Sequence, residues 1–315
     1  MRIDIPSARL YNGENRTRSK EGRPSRAMTV SLIIPTLNAG ALLPSLIAAL
    51  RKQTLPPDEI LIVDSSSEDG TAECARSLGC RVDVIDRAHF DHGGTRDAAL
   101  RSTRGEIVVF MTQDALPASR TSLEQLLAPF ADARVAAVGG RQIARPDARP
   151  YERLVRAYNY PAQSRVWTKD DLSALGVRAY LISDVFAAYR REAYLAVGGF
   201  DHPLETNEDM LIAQRLLAQG YALAYSGEAC VCHSHAFTWR QQFSRNRAVG
   251  RFMERYSDRL PCSELGTGMA LAKDVLCALL REGRPLECAA FALDCLARLL
   301  GNRAGRREAR REKKK

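Results

Sequence analysis

Short apolar segments alternate with helical segments between residues 30 and 142, and this alternation constrains the fold more than any other feature. Each apolar segment has the length and composition of a buried strand, and each is followed by polar residues or glycine. Parallel neighbours in a sheet need a crossover connection, which is usually a helix. The sequence therefore predicts an α/β fold with a mostly parallel central sheet flanked by helices. The predicted strands cover 30–35, 59–67, 80–86, 106–114 and 135–142, and the helices between the first four cover 41–53, 70–79 and 94–103.

The second half of the chain shows a weaker pattern. Residues 143–182 are rich in Arg, Tyr and Trp without a clear period, so we expect an irregular excursion over one face of the molecule. A strand and a helical turn are predicted over 183–201 and a helix over 207–220, where Asn207 can cap and Gly220 terminates. A strand pair containing Cys230 to His235 follows, and then amphipathic helices over 238–256, 268–282 and 285–300.

The charge of +9 lies in the two ends of the chain. Residues 1–29 carry a net +4 and residues 301–315 a net +6, and subtracting both from the total leaves the body at −1. A nucleic-acid-binding body more often has a basic stripe within the fold, so no nucleic-acid partner is predicted. We expect a disordered basic tail over 1–28, one domain over 29–255, amphipathic helices over 256–300 and a basic tail over 301–315. Basic tails suit an anionic membrane surface or simply keep a protein in solution.

Eight cysteines are scattered along the chain, several of them inside apolar helical patterns. Free cysteine behaves there as a small apolar residue, so no disulfide framework is predicted. The N-terminus lacks the apolar segment of a secretory signal, and no run of about 18 apolar residues indicates a spanning helix. These features predict a cytoplasmic protein, with peripheral contact to the inner face of the membrane through the C-terminal helices and basic tail.

The strand exits carry the candidate binding residues, because ligands of such sheets bind at the carboxyl ends of the strands. None of the exits matches a phosphate-binding loop or a dinucleotide-binding fingerprint. Asp64 can accept a base N–H or a ribose hydroxyl, or it can serve only as a local cap. The other polar exit residues are Thr36, Asn38, Ser66 and Gln113.

The segment His92-Gly93-Gly94-Thr95-Arg96 combines features that suit an anion. The two glycines allow a backbone to approach a ligand closely, and Thr95 can cap a helix whose N-terminus attracts phosphate. Arg96 adds a fork of donors for phosphate or base. An ordinary glycine turn with a surface arginine is the alternative.

Asp114 ends the buried strand IVVFM and is the natural ligand for a divalent ion there. A nucleoside diphosphate held at strand exits needs its charge neutralised, and Mg²⁺ or Mn²⁺ does this with one or two carboxylates. The alternative is a capping Asp. The pattern Cys230-x-Cys232-His233-x-His235 has the wrong spacing for a structural zinc site. One of its histidines can instead reach the ion at Asp114, or both can be packing residues.

Glu208 and Asp209 lie in the first turn of a predicted helix, where acids are common for reasons of helix stability alone. A carboxylate at such a place can also act as the general base for a hydroxyl nucleophile.

In order and spacing, the segments IIPTLNAG, ILIVDSSSEDGT, DHGGTRDAA, MTQDA, GGFD and NEDMLIAQR resemble the family 2 glycosyltransferases, which have a GT-A fold. HGGTRD followed by TQDA is similar to their rhamnosyltransferase-like subgroup. The resemblance covers about residues 30–255 and implies inverting transfer from a nucleotide-diphospho-sugar donor. It also implies a GT-A domain over 29–255 with a C-terminal helical extension.

The resemblance assigns roles to the candidate residues. Asp209, within Glu208-Asp209, matches the catalytic base, and Asp114 matches the metal-binding Asp of the family's D-x-D motif, whose first carboxylate is absent here. His235, or else His233, matches the later metal-binding His. The residues implied to bind the nucleotide-sugar are Pro35, Thr36, Asn38, Asp64, Ser66, Gly94, Arg96 and Gln113.

Several functions stay open within this resemblance. The donor is expected to be dTDP-rhamnose, with a UDP-hexose as the alternative, and the acceptor to be a glycan or lipid-linked glycan of an envelope or extracellular polysaccharide. A non-catalytic nucleotide-sugar-binding protein is a further alternative, favoured by the atypical Thr112-Gln113-Asp114 and opposed by the intact Asp209. A nucleotidyltransferase is disfavoured, because PTLNAG does not look like its Gly-rich basic loop.

Overall fold

The computed structural model describes residues 28–260 and 265–314. Nine strands form one sheet, and eleven α-helices surround it. The strands are β1 Val30–Thr36, β2 Glu59–Asp64, β3 Arg81–Val84, β4 Ile107–Met111, β5 Leu116–Pro117, β6 Val135–Ile143, β7 Arg165–Trp167, β8 Phe186–Arg190 and β9 Ala222–Cys232. The helices are α1 Leu43–Arg51, α2 Thr71–Ser77, α3 His92–Ser102, α4 Ser122–Leu127, α5 Pro150–Asn159, α6 Leu172–Leu175, α7 Arg191–Ala196, α8 Glu208–Ala218, α9 Trp239–Arg255, α10 Leu265–Arg281 and α11 Pro285–Glu312.

The sheet is mixed, with the order β3-β2-β1-β4-β8-β6-β9-β5 and with β7 paired to β9. The first four strands are parallel, as the alternation of strands and helices predicts. The fifth predicted strand, β6, does not continue that row, because β8 lies antiparallel between β4 and β6. The segment predicted as a strand pair is the single long strand β9, which runs parallel to β6 with a register shift and antiparallel to β5 and β7.

Two apolar layers lie on opposite faces of the sheet, because successive side chains of a strand point to opposite faces. In β4, Val108 and Phe110 join one core, while Ile107, Val109 and Met111 join the other. The first core is covered by α3, α7, α8 and α9, and the second by α1, α2 and α4. All five residues of β4 are therefore buried, and its exit at Thr112 to Asp114 is held in a rigid place.

The region 143–182, predicted as irregular, contains α5, β7 and α6. In α5 the apolar positions Tyr151, Leu154 and Val155 pack against α10 and α11 in a small separate core. That partner is distant in the sequence, and the short apolar stripe of α5 is too weak by itself to predict a helix.

The predicted basic tail over 301–315 is wrong for the described residues up to 312, which continue α11. Gly301, Gly305 and Ala309 form a buried stripe of α11 that packs against α9. A Cβ atom at Gly305 would collide with the backbone of Arg247 in α9. Ion pairs such as Arg247–Glu308 at 2.8 Å flank this stripe. The tail predicted over 1–28 lies outside the described residues, apart from Met28. The seven cysteines in the described part are free thiols, and no described helix has the length and apolar character to cross a membrane.

Candidate functional site

The exits of β1 and β2 are tied together by Asp64. Its carboxylate accepts hydrogen bonds from Thr36 Oγ1 at 3.1 Å, from Ser67 N at 2.9 Å and from Ser67 Oγ at 2.6 Å. Asp64 is almost fully buried. The sequence allowed either a ligand contact or a local capping role for Asp64. In the structure its contacts are local, and they hold the edge of the site in shape.

Two residues with left-handed backbone form the rim beside this edge. Asn38 has φ 50° and Ser66 has φ 51°, a region that residues other than glycine seldom adopt. Both side chains are exposed, and Asn38 Oδ1 accepts a hydrogen bond from Glu68 N at 3.1 Å. Pro35 and Thr36 lie in β1 directly behind the rim. Non-glycine residues held in this conformation are often found at functional sites, so the rim is a candidate for nucleotide contact.

Gln113 contacts the protein backbone at the exit of β1. Its Oε1 accepts from Leu37 N at 2.8 Å, and its Nε2 donates to Leu37 O at 3.1 Å. Both ends of the amide are thus engaged within the protein, where a carboxylate could accept but not donate. Gln113 joins the exits of β1 and β4 and holds the backbone that carries Asp114.

The structure brings Asp114 together with both His233 and His235. The Nε2 atom of each histidine lies 3.4 Å from Asp114 Oδ2. One ligand atom from each of the three residues falls within 4.8 Å of the others, which is the arrangement of a metal site. The sequence could not choose between the two histidines, and the structure places both at the carboxylate.

Two members of this cluster, Asp114 and His235, are held in the protonation states of metal ligands. Burial raises the pKa of Asp114, but the hydrogen bond and charge of His233 outweigh it and hold that pKa below the usual range. Burial and the neighbouring His233 lower the pKa of His235 to about 4, so its imidazole is neutral at pH 7. A carboxylate and a neutral imidazole are both metal ligands.

Gln142 of β6 orients His233. Its Oε1 lies 2.9 Å from His233 Nδ1 and also accepts from Arg156, while its Nε2 donates to Tyr160 Oη at 2.8 Å and Ser183 Oγ at 3.0 Å. When His233 is neutral and its Nδ1–H donates to Gln142, Nε2 carries no proton and can act as a metal ligand beside Asp114. No pattern in the sequence singled out Gln142, because its partners come from three separate segments.

Arg96 lies inside the protein, facing carboxylates. Its Nη1 is 3.3 Å from Glu208 Oε1 and its Nε is 3.8 Å from Asp184 Oδ2, and the residue is 5% exposed. Tyr189 donates a hydrogen bond to Asp184 at 2.7 Å. Arg96 is therefore paired within the protein, and its direct contact with a nucleotide stays a prediction. The sequence did not identify Asp184, because it lies just before β8 and belongs to no recognisable motif.

Asp209 lies beside this ion cluster and is partly exposed. Burial raises its pKa well above the usual range, and the charges of Glu208 and Asp184 raise it further. Burial, partly offset by Arg96, also raises the pKa of Asp184 to about 7. One arginine thus serves three carboxylates. A carboxylate with a raised pKa accepts a proton more readily once ionised, which is what a general base needs.

The glycines of the His92–Arg96 segment pack against protein. Helix α3 begins at His92, two residues before its predicted start, and Asp91 caps it by accepting from Gly94 N at 2.6 Å; Thr95 is not the cap. A Cβ atom on Gly93 would collide with the carbonyl oxygen of Asp201. The close approach that these glycines allow is therefore to the loop before α8. In the same way Asn207 occupies the N-cap position of α8 but makes no side-chain capping bond.

A cavity of about 260 Å³ opens beside the metal cluster, between α5, α9 and α11. His235 belongs to its wall, together with aromatic and arginine side chains. Tyr160, whose pKa is raised by burial and further by the charge of Asp209, also lines the cavity, whereas Asp209 itself is not among the described lining residues. The site thus consists of a rim at β1 and β2, a metal cluster at β4 and β9, and a cavity on the other side.

The sequence of this chain is similar to those of known glycosyltransferases. Residues 31–198 match the sequence profile of glycosyl transferase family 2. The O-antigen chain rhamnosyltransferase RfbN of Salmonella typhimurium is 39% identical over 227 residues, which are 71% of this chain and 72% of RfbN. The O-antigen chain rhamnosyltransferase WbaN of Salmonella anatum is 42% identical over 224 residues, which are 70% of this chain and 71% of WbaN.

Solved structures share the fold at low sequence identity. A mannosyltransferase from Pyrobaculum calidifontis, in complex with GDP-Man and Mn²⁺, has a TM-score of 0.61 at 20% identity and covers 87% of both chains. Glucosyl-3-phosphoglycerate synthase from Mycobacterium tuberculosis, in complex with Mn²⁺, UDP and glucosyl-3-phosphoglycerate, has a TM-score of 0.51 at 18% identity, covering 76% of this chain and 82% of its own. The predicted GT-A fold is confirmed, with its helical C-terminal extension.

Proposed function

The chain belongs to glycosyl transferase family 2, and from this premise we propose that it transfers L-rhamnose from dTDP-rhamnose to a hydroxyl group of a growing cell-envelope polysaccharide. It is a glycosyltransferase by family. The choice of rhamnose is supported by the two O-antigen chain rhamnosyltransferases that are about 40% identical to it. A UDP-hexose is the alternative donor, since the rim at β1 and β2 contains no residue that by itself selects one base or sugar.

The observation that carries the proposal is the convergence of Asp114, His233 and His235, the last of which also lines the cavity. We assign the diphosphate of the donor to the cluster of Asp114, His233 and His235, and we assign the acceptor to the cavity. When bound, a divalent ion supplies charge neutralisation for the diphosphate, and Asp114 and the two histidines would hold it. Mn²⁺ is the proposed ion because the mannosyltransferase and the glucosyl-3-phosphoglycerate synthase that share this fold are complexes with Mn²⁺.

The protein residues then act on the acceptor. Asp209 takes the proton of the acceptor hydroxyl as its oxygen attacks the anomeric carbon of the sugar, and the nucleoside diphosphate leaves from the opposite face. One displacement with one base inverts the anomeric centre, by the geometry known for inverting glycoside cleavage. Burial and the charges of Glu208 and Asp184 raise the pKa of Asp209, and the charge of Arg96 partly offsets them. Arg96 is a positioning residue in this mechanism.

The nucleotide is assigned to the rim. We propose that Asn38 and Ser66, both exposed, contact base or ribose, while Pro35, Thr36 and Asp64 hold the rim in shape from behind. Gln113 and Gly94 have internal partners, and their roles are to fix the exits on which the donor lies. The catalytic domain is proposed to span 29–255, with the helices after it covering the acceptor side.

A thermal-shift panel tests the donor. The protein is melted with dTDP-rhamnose, UDP-glucose, UDP-galactose and GDP-mannose, each with Mn²⁺, with Mg²⁺ and with EDTA. A ligand that binds only the native state raises the melting temperature according to its affinity. We expect the largest rise with dTDP-rhamnose and Mn²⁺. A larger rise with a UDP-sugar would contradict rhamnose and keep the family chemistry, and equal shifts in EDTA would contradict a metal-held diphosphate.

We further propose that α11 rests on the inner face of the cell membrane. The side of α11 away from the stripe that packs against α9 carries Leu286, Leu293 and Leu300 at intervals of seven residues. These leucines are 84%, 63% and 48% exposed. Farther along the same face, Arg303 and Arg307 are exposed. Leucine side chains can enter the lipid boundary while arginines meet anionic headgroups.

Leu293→Glu should therefore weaken binding to vesicles that contain anionic lipid by roughly tenfold or more, since one leucine contributes about 1.5–3 kcal/mol on burial. Co-sedimentation with vesicles measures this. Leu55→Glu, which places the same charge at an exposed leucine outside the C-terminal helices, is the matched control. Equal binding of the two variants would refute contact through this face.

A further inference from the structure

The cavity between α5, α9 and α11 contains three arginines, and the proposed reaction does not account for them. Arg156 comes from α5, Arg245 from α9 and Arg298 from α11. The same wall includes the aromatic rings of Tyr151, Tyr160 and Phe237. The volume of the cavity is about 260 Å³. One water molecule takes about 30 Å³ in the liquid, so the cavity has room for more than a bound water or a simple ion.

The positive charge of these arginines is only partly balanced. Arg298 pairs with Asp294 at 2.6 Å, and Asp294 is also held by Gln242. Arg156 donates to the neutral amide of Gln142. Arg245 has no ion pair with any described residue, and its guanidinium lies over the ring of Phe237 at 4.5 Å from the centroid. Glu152 and Asp294 also line the cavity, so three arginines meet two carboxylates there, and Arg156 and Arg245 form no ion pair with a described residue.

The arginines also repel one another. Burial lowers the pKa of Arg245, and the charges of Arg298 and Arg156 lower it further. Like charges that converge on a cavity lined by aromatic rings cost free energy unless an anion joins them. A guanidinium offers donors in a planar fork that matches two oxygens of a phosphate group. The arrangement is thus complementary to a phosphate-class oxyanion.

We propose that Arg156, Arg245 and Arg298 form a binding site for a phosphate or diphosphate group in this cavity. The proposal rests on the proposed function for the source of that group. His235 joins the cavity to the metal cluster, so the diphosphate of the donor can reach it. The cavity also lies on the acceptor side, so a phosphate carried by the acceptor can reach it as well.

In the first experiment, the full chain is titrated with inorganic pyrophosphate in the presence of EDTA, and calorimetry measures the binding. Arginines bind the anion without a divalent ion, so wild type should bind, and Arg245→Gln should weaken binding by roughly tenfold or more. Arg240→Gln is the matched control, because Arg240 lies on the same helix but does not line the cavity. No binding by wild type, or equal affinity in the two variants, would overturn the proposal.

The second experiment separates the two sources by melting each protein with dTDP and Mn²⁺. If the donor supplies the diphosphate, Arg245→Gln reduces the rise in melting temperature and Arg240→Gln does not. If the acceptor supplies it, both variants keep the full rise while Arg245→Gln alone loses pyrophosphate affinity. Failure of the donor panel, with pyrophosphate still bound through Arg245, would reject the proposed function and leave the anion site standing.

Discussion

Asp209→Asn is expected to lower the rate of sugar transfer by about 10³-fold, within the usual range for loss of a general base, while nucleotide-sugar binding stays nearly unchanged. Asparagine keeps the size of the side chain and cannot accept the proton of the acceptor hydroxyl. The donor contacts proposed at the rim and at Asp114 do not involve Asp209. The turnover number, and the donor-induced rise in melting temperature, measure the two effects separately.

The stability of this variant gives an internal check. The pKa of Asp209 is raised in the folded protein, so the folded state binds that proton more tightly than the unfolded state does. Loss of the proton as pH rises through this raised pKa therefore favours unfolding, and asparagine removes this penalty. The variant should melt at pH 8 at a temperature no lower than wild type. A lower melting temperature together with lost donor binding would mean misfolding and would contradict the assignment.

A control for charge removal is Glu192→Gln. Glu192 is an exposed acid in the first turn of α7, just as Asp209 is in the first turn of α8. First-turn acids stabilise helices in general, so a loss common to both variants would be a helix effect. Full activity in Glu192→Gln and none in Asp209→Asn is the result that supports a base.

Asp114→Ala should abolish the stabilisation that Mn²⁺ gives to the donor complex and lower transfer by about 10² to 10³-fold, because several kcal/mol of charge stabilisation are lost. Asp114 is the only anionic side chain of the three that converge there, and the imidazole of His235 is neutral at pH 7. Without the carboxylate, a divalent ion would meet two imidazoles alone. The Mn²⁺ signal in electron paramagnetic resonance reports free and bound ion directly and needs no turnover.

Asp132→Ala is the control for this second variant, since Asp132 is bound to Arg134 at the surface, away from the cluster. It should bind Mn²⁺ as wild type does. Unchanged Mn²⁺ affinity in Asp114→Ala would place the ion elsewhere and would remove the main support for the proposed function.

Much of the site was predictable because its residues follow local patterns. Asp114 stands at the end of an all-apolar strand, and Asp209 stands in the first turn of a strongly periodic helix. The two histidines could be predicted as candidates only as a pair, because the sequence alone does not show how β9 runs past the exit of β4.

Elsewhere, tertiary packing gives residues partners that the sequence did not indicate. Arg96 was expected to face a ligand, but α8 and the start of β8 bring carboxylates to it. The glycines beside it were expected at a ligand and instead admit the loop at Asp201. Residues after 300 were expected as a tail, but their small side chains let α11 pack closely on α9.

The amino-acid sequence by itself determined the parallel strands β1 to β4, their polar exits, and the carboxylates proposed for metal and base. Those features depend on periodicity and on residues adjacent in the chain. Only the tertiary structure decided that β8 inserts antiparallel beside β4, that Gln142 orients His233, and that arginines from α5, α9 and α11 share one cavity. These contacts join segments far apart in the chain, and their pairing depends on sheet order and helix packing, which no local pattern encodes.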